Sequence, residues 1–183
     1  MSYFKHDKAL VHEDAHIEEG TRIWAFAHVQ AGARIGRNCN ICDNSFIEKG
    51  AIVGNNVTIK HNVSIFNGVT IEDEVFVGSN IAFINDRYPH SQRKDWVLEK
   101  TLVKKGATLG SNSVIMCGVT IGSYAVVGAG SVVLKDVPAH QIYVGNPALF
   151  KGYAGRCGQP LDENFKCRCG MEQFSQEEIE GIK

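Results

Sequence analysis

An aliphatic residue returns at every sixth position along most of this chain. The first run reads Val11, Ile17, Ile23, Val29, Ile35, Ile41, Ile47, Val53, Ile59, Ile65, Ile71 and Val77, and ends on Phe83. After an interruption the beat resumes at Val103, Leu109, Ile115, Ile121, Val127 and Val133. Neither the 3.6-residue helical period nor strand alternation produces this spacing. From Ile17 on, a second compact residue follows four positions later, as in Ala27, Ala33, Cys39, Ser45, Ala51, Ala107, Ser113, Ala125 and Ser131. Such short internal periods mark a stacked solenoid, here a parallel β-helix.

Six residues make one short strand and a corner, and three such faces close a coil. The two runs supply about four and about two coils, a prism on the order of 30 Å long at the usual strand spacing. Corners need residues that tolerate positive φ, and Gly20, Gly32, Gly50, Asn56, Asn62, Gly68 and Gly118 fall between the inward positions. Each coil touches only its neighbours, so the core is one-dimensional and its ends need caps.

Pairs such as Ile35-Gly36, Val53-Gly54, Val77-Gly78, Leu109-Gly110 and Ile121-Gly122 resemble the hexapeptide repeat of the left-handed β-helix acyltransferases. The resemblance covers residues 11–136 and implies an all-β fold, a left-handed parallel β-helix. Handedness comes from the resemblance alone, because parallel crossovers are normally right-handed. The expected organisation is a β-helix domain over 1–137, interrupted by an inserted loop at 84–102, and a partly helical C-terminal extension over 138–183. Within that extension, short helices are expected at Pro147–Tyr153 and Ser175–Lys183.

Composition narrows the function. A net charge of −1 argues against nonspecific nucleic-acid binding. No apolar stretch is long enough to span a membrane, and the polar start, Met1 to Lys8, lacks a signal-peptide core. A cytoplasmic protein is expected, with free thiols at Cys39, Cys42 and Cys117.

The interruption after Phe83 is too polar and proline-marked to be another coil, and a long insertion in a regular solenoid is usually functional. Phe83-Ile84-Asn85-Asp86-Arg87-Tyr88-Pro89, the later Thr101–Gly110 stretch and Val144-Gly145-Asn146-Pro147-Ala148 are similar to N-acetyltransferases acting on nucleotide-linked 3-amino sugars. That likeness implies a homotrimer with sites between subunits, acetyl-CoA as co-substrate, and a role in cell-surface polysaccharide (O-antigen, lipopolysaccharide) assembly. Two substrates fit it: UDP-2-acetamido-3-amino-2,3-dideoxyglucuronate, favoured on chain length and charge, and a dTDP-3-amino-3,6-dideoxyhexose.

An amine of pKa roughly 8 is partly neutral near physiological pH, so a strong base is not compulsory. The resemblance gives Asn85 the task of orienting the amine; an amide cannot act as a base. His61 and His28, outward-facing on the prism wall, are the candidate bases. Lys60, Asn62, Asp86, Arg87, Tyr88, Arg93 and Trp96 are candidates for the sugar and diphosphate. The resemblance runs coenzyme A along a groove by the last coils, where Gly110, Gly128, Ala129 and Gly130 permit close approach. Lys104, Lys105, Lys135 and Lys151 are the cations for its phosphates.

Two rivals share the scaffold. A zinc-dependent hydratase of γ-carbonic-anhydrase type needs three spaced histidine ligands, and His28 and His61 lack a third. A non-catalytic scaffold predicts no coenzyme binding. Cys157, Cys167 and Cys169 lack an obvious fourth ligand for zinc, since His140 would have to fold back, and no metal is expected.

Overall fold

The structure, a computed structural model, describes residues 2–181. Met1, Ile182 and Lys183, assigned above to the polar start and the terminal helix, lie outside it. Three parallel sheets form the faces of a prism. The first face opens with Phe4–Lys5 and Arg22–Ile23, the second with Leu10–Val11 and His28–Val29, and the third with His16–Ile17 and Arg34–Ile35. Neighbours on a face are three hexads apart in sequence: Phe4 pairs with Arg22, Arg22 with Asn40, and Asn40 with Thr58. Three hexads therefore make one coil, as the period requires.

The inward residues form one continuous column. Ile23, Ile41, Ile59, Ile65, Ile71, Leu109, Ile115 and Ile121 are fully buried, with Ala27, Ala33, Ala51, Ala107 and Ala125 filling between them. The corners also stack. At the corner from the first to the second face, Phe26, Asn44, Asn62, Asn80, Asn112 and Gly130 all have φ between 58° and 69°. This left-handed backbone is tolerated best by Gly and Asn. Phe26, Glu74, Tyr124 and His140 adopt it too, held by the coil pairing on either side.

The stack has about eight turns, more than the hexad runs suggest. It starts at Phe4–Lys5, and the strand Gln141–Val144 continues the first face by pairing with Val126 and Val127. Leu149–Tyr153 then returns antiparallel against Gln141–Val144. This corrects the expected helix at Pro147–Tyr153: its backbone groups pair with an exposed sheet edge instead. The helix expected near the end is present as Gln176–Gly181.

The interruption leaves the coil lattice undisturbed. Ser64 pairs with Ala82 in the regular step, but Ala82 then pairs with Val114 and not with Lys100, the residue that the coil period names. On the third face, Val69 likewise pairs with Thr101, beyond the loop. The insertion therefore lengthens the corner from the second to the third face and adds nothing to the sheets. Leu98 seats its return over Gly68, where an added Cβ would come within 2.9 Å of Leu98 Cδ1.

Candidate active site

The coil period places Asp43 one coil before His61, and the structure brings Asp43 Oδ2 to 3.2 Å from His61 Nε2. The two line an open cleft of about 430 Å³ on the first face with Arg22, Trp24, Asn40, Cys42 and Thr58. Trp24 Nε1 donates to Asn40 Oδ1 (2.7 Å), and Asn40 Nδ2 lies 3.3 Å from Cys42 Sγ. Arg22 is exposed there and forms no ion pair among the described residues. Asp43 presents a carboxylate oxygen to one imidazole nitrogen and so fixes the orientation of the ring. The sequence reading does not single out Arg22, Trp24, Asn40 or Asp43. Asp43 was findable, because adding or subtracting one coil from His61 names its neighbours.

Lys60 and Asn62 flank His61 at the same corner. Asn62 sits at φ 59° and donates through Nδ2 to Asn80 Oδ1 (3.0 Å), so it belongs to the corner ladder. His28 is half-buried on the second face with its ring edge-on to Phe46, centroids 5.4 Å apart.

The loop is tied to itself. Arg87 forms a bidentate pair with Glu99 (Nε to Oε1 3.0 Å, Nη2 to Oε2 2.8 Å) and donates to the Cys117 carbonyl (2.8 Å). Hydrogen bonding to Arg87 holds the Glu99 carboxyl below the usual carboxylate range, and the same bonds raise the Arg87 guanidinium. Arg93 pairs with Asp95 (3.0 Å) and donates to the Tyr88 carbonyl. Asp86 Oδ1 accepts the Tyr88 amide, and Trp96 Nε1 donates to the Asn85 carbonyl (3.3 Å). Both arginines expected to meet the substrate are thus committed within the fold. The half-buried Asn85 side chain and the exposed rings of Tyr88 and Trp96 remain as contacts.

Within one chain, Asn85 and His61 stand at opposite edges of the second face. Asn85 follows the strand Ala82–Phe83 into the loop, whereas His61 precedes the strand Ser64–Ile65. About six extended residues, some 20 Å, lie between these corners.

The coenzyme candidates are dispersed as well. Gly110, Gly128, Ala129 and Gly130 stack at the same corner as His61, towards the last coils. An added Cβ on Gly110 would sit 2.4 Å from the Ala129 amide nitrogen, so coil stacking by itself requires this glycine. Lys105 pairs with Glu74 (3.2 Å), which raises its ammonium pKa. Lys104 lines a cleft with Thr120, Gly122 and Asp136 at the corner from third to first face. Lys135 lies beyond the strand Val132–Val133, and Lys151 on the returning strand. One chain does not gather these four cations.

Among the described residues, the group of side chains with metal-ligand spacing is Cys157, Cys167 and Cys169, whose sulfurs all lie within 4.8 Å of one another. None of His28, His61 and His140 belongs to it. The His140 ring packs between Tyr124 and Phe174 with Nδ1 2.9 Å from the Ala154 carbonyl.

The bacterial transferase hexapeptide model, of six repeats, matches residues 14–49 and 100–135. The dTDP-3-amino-3,6-dideoxy-α-D-galactopyranose 3-N-acetyltransferase of Aneurinibacillus thermoaerophilus is 53% identical over 170 residues, covering 91% of this chain and 88% of that protein. A hexapeptide transferase family protein from Anaplasma phagocytophilum superposes with a TM-score of 0.51 at 15% identity, over 98% of this chain and 83% of its own. The polysialic-acid-specific acetyltransferase NeuO does so with a TM-score of 0.51 at 21% identity, over 80% and 87%. These two likenesses concern the fold alone. The chain belongs to the hexapeptide-repeat acyltransferases, in the group of nucleotide-linked 3-amino-sugar N-acetyltransferases. Its relative from Aneurinibacillus matches it across the loop and the C-terminal strands as well as the coils.

Proposed function

We propose that this protein transfers the acetyl group of acetyl-CoA to the 3-amino group of a dTDP-linked 3-amino-3,6-dideoxyhexose. The observation that carries this reading is the 53% identity over 91% of the chain to an enzyme named for that substrate. The loop geometry supports the same sugar. Of Arg87, Arg93 and Lys94, the loop cations that could receive a glucuronate carboxylate, the two arginines are already paired with Glu99 and Asp95, which leaves the exposed Lys94. A 6-deoxy sugar instead offers a methyl group to the exposed Trp96 or Tyr88 ring. The preference therefore moves from the UDP-glucuronate type to the dTDP-deoxyhexose type.

In the reaction the amine nitrogen attacks the thioester carbonyl. A C–N bond forms, the C–S bond breaks, and the coenzyme leaves as its thiol, with one proton lost from nitrogen. Asn85 orients the amine, and His61, steadied by Asp43, receives the proton and passes it to the departing sulfur. Arg22 and Lys60 balance the diphosphate. Because one chain holds Asn85 and His61 on opposite corners, the complete site forms where the loop of one subunit meets the cleft of the next in a homotrimer. The enzyme acts in the cytoplasm on soluble sugar nucleotides and feeds cell-surface polysaccharide assembly; no described helix is long and apolar enough to cross a membrane.

Thiol release from acetyl-CoA, measured against a panel of UDP- and dTDP-linked amino sugars, tests this. Turnover with dTDP-3-amino-3,6-dideoxyhexoses is expected. Turnover confined to the UDP-glucuronate-type sugar overturns the substrate assignment, and turnover with none overturns the activity. A monomer by light scattering removes the shared site.

A further inference from the structure

We propose that Cys157, Cys167 and Cys169 bind one zinc ion, which fastens the C-terminal extension to the end of the coil stack. Cys167 Sγ lies 3.3 Å from Cys157 Sγ and 3.2 Å from Cys169 Sγ. Tetrahedral zinc with Zn–S bonds of about 2.3 Å holds its sulfurs roughly 3.8 Å apart, about half an ångström wider than these two separations and inside the 4.8 Å that encloses all three. A disulfide, at about 2.05 Å, would use two of the three and strand the third.

The chain around the sulfurs is built twice. Gly155-Arg156-Cys157-Gly158 and Cys167-Arg168-Cys169-Gly170 differ only at their first residue. Both close with the same turn: the Gly158 amide donates to the Gly155 carbonyl (2.9 Å), and the Gly170 amide to the Cys167 carbonyl (2.8 Å). Gly158 and Gly170 share a φ of 78° and 77°. Two facing turns of this kind present four ligand positions, three occupied by cysteine and the fourth by Gly155. An added Cβ on Gly155 would lie 2.7 Å from Cys167 Sγ and 2.9 Å from Glu172 Oε2. The vacant position therefore faces the Cys167 sulfur and a carboxylate, and Glu172 is the side-chain oxygen donor placed to complete the set. Glu172 is now held by the Arg156 amide (2.6 Å) and the Arg156 guanidinium (3.2 Å).

Apart from ring contacts such as His140–Phe174 and Tyr153–Phe165, the extension has a thin apolar core. Between 154 and 181 the buried apolar residues are Ala154, Cys167 and Ile179, and isolated bridges such as Ala154–Pro160 and Leu161–Cys167 replace regular strands. A segment with so thin a core needs a staple, and bound zinc supplies folding free energy directly.

Metal analysis of protein purified without chelator, followed by reconstitution with zinc chloride or cobalt chloride, tests this. One zinc per chain is expected, with a thiolate-to-cobalt charge-transfer band in the cobalt form. Cys169→Ser should abolish both while acetyl transfer stays within about twofold. Cys157→Ser serves the same purpose should that variant fail to fold, and Glu172→Gln should weaken retention less than either. Removing zinc should open residues 154–174 to protease while the coils stay resistant. Three freely titrating thiols with no metal after reconstitution would overturn the proposal. So would a Cys157–Cys167 disulfide, or zinc retained by the Cys157→Ser/Cys169→Ser double variant.

Discussion

His61 Nε2 stands 3.2 Å from Asp43 Oδ2, the residue at the same corner one coil earlier. This pairing joins two coils and fixes which imidazole nitrogen faces the carboxylate. Asn85→Ala should lower kcat/KM by about 100-fold, because misplacing the amine forfeits orientation. His61→Ala and Asp43→Asn should cost less, roughly tenfold each, because the amine is already partly neutral. Those two losses should match and should shrink as pH rises towards 8, the amine deprotonating by itself. A larger, pH-independent loss in His61→Ala would make the histidine an obligatory base.

Arg22 is the cleft cation without an ion-pair partner among the described residues. Arg22→Ala should raise KM for the sugar nucleotide about tenfold, as expected for one lost charge-assisted contact. KM for acetyl-CoA and kcat should change little, and the defect should grow smaller with added salt. An equal effect on both KM values would place the nucleotide elsewhere.

The Arg87–Glu99 pair sets the acid limit of the loop. Glu99 has its folded pKa lowered, so its contribution is complete above the unfolded carboxylate value and is lost as pH falls through the folded one. Protease cleavage between Arg87 and Trp96 should accelerate below about pH 4 while the coils remain intact. Glu99→Gln should show the same accelerated cleavage already at pH 7, with a raised KM for the sugar. Unchanged cleavage in Glu99→Gln would mean that Leu98 and the loop's backbone bonds suffice.

Ser113 carries a buried hydroxyl with no hydrogen-bond partner among the described residues, in the same column as Ser131, whose Oγ accepts the Gly145 amide. Ser113→Ala should raise Tm by about 2 °C through removal of that unmet group. Ile65→Ala, fully buried mid-stack, should lower it by roughly 8 °C. Calorimetry on both variants checks the pair; a destabilised Ser113→Ala would point to an unseen partner for the hydroxyl.

The coil was legible because Ile23, Ile41 and Ile59 occupy the interior at one spacing, and narrow interiors admit few alternatives. Its ends were not. Phe4–Lys5 carries no inward aliphatic pattern, and Gln141–Val144 joins out of step, with Ile142 opposite Val126 where the coil period would put Val144. The helical expectation for Pro147–Tyr153 failed because an available sheet edge outweighed local propensity. Asn85 and the loop drew notice through composition, but the engagement of Arg87 by Glu99, across the whole width of the loop, is a tertiary fact with no local sign. The cysteines did carry a local sign, since Cys157, Cys167 and Cys169 lie close in sequence, but the 3.3 Å between the sulfurs of Cys157 and Cys167 is set by the fold.

Position along the prism carries a further consequence. A stack in which each coil leans only on its neighbours loosens from its tips inward. The coils bearing Asp43, His61 and the root of the loop lie midway along it, several strand pairs from Phe4–Lys5 and from Gln141–Val144. Fraying at either tip leaves these residues in place but reaches Arg22, which pairs directly with Phe4, and the glycines of the last coils. A warmed sample should therefore lose its hold on sugar nucleotide and coenzyme before it loses the Asp43–His61 pair.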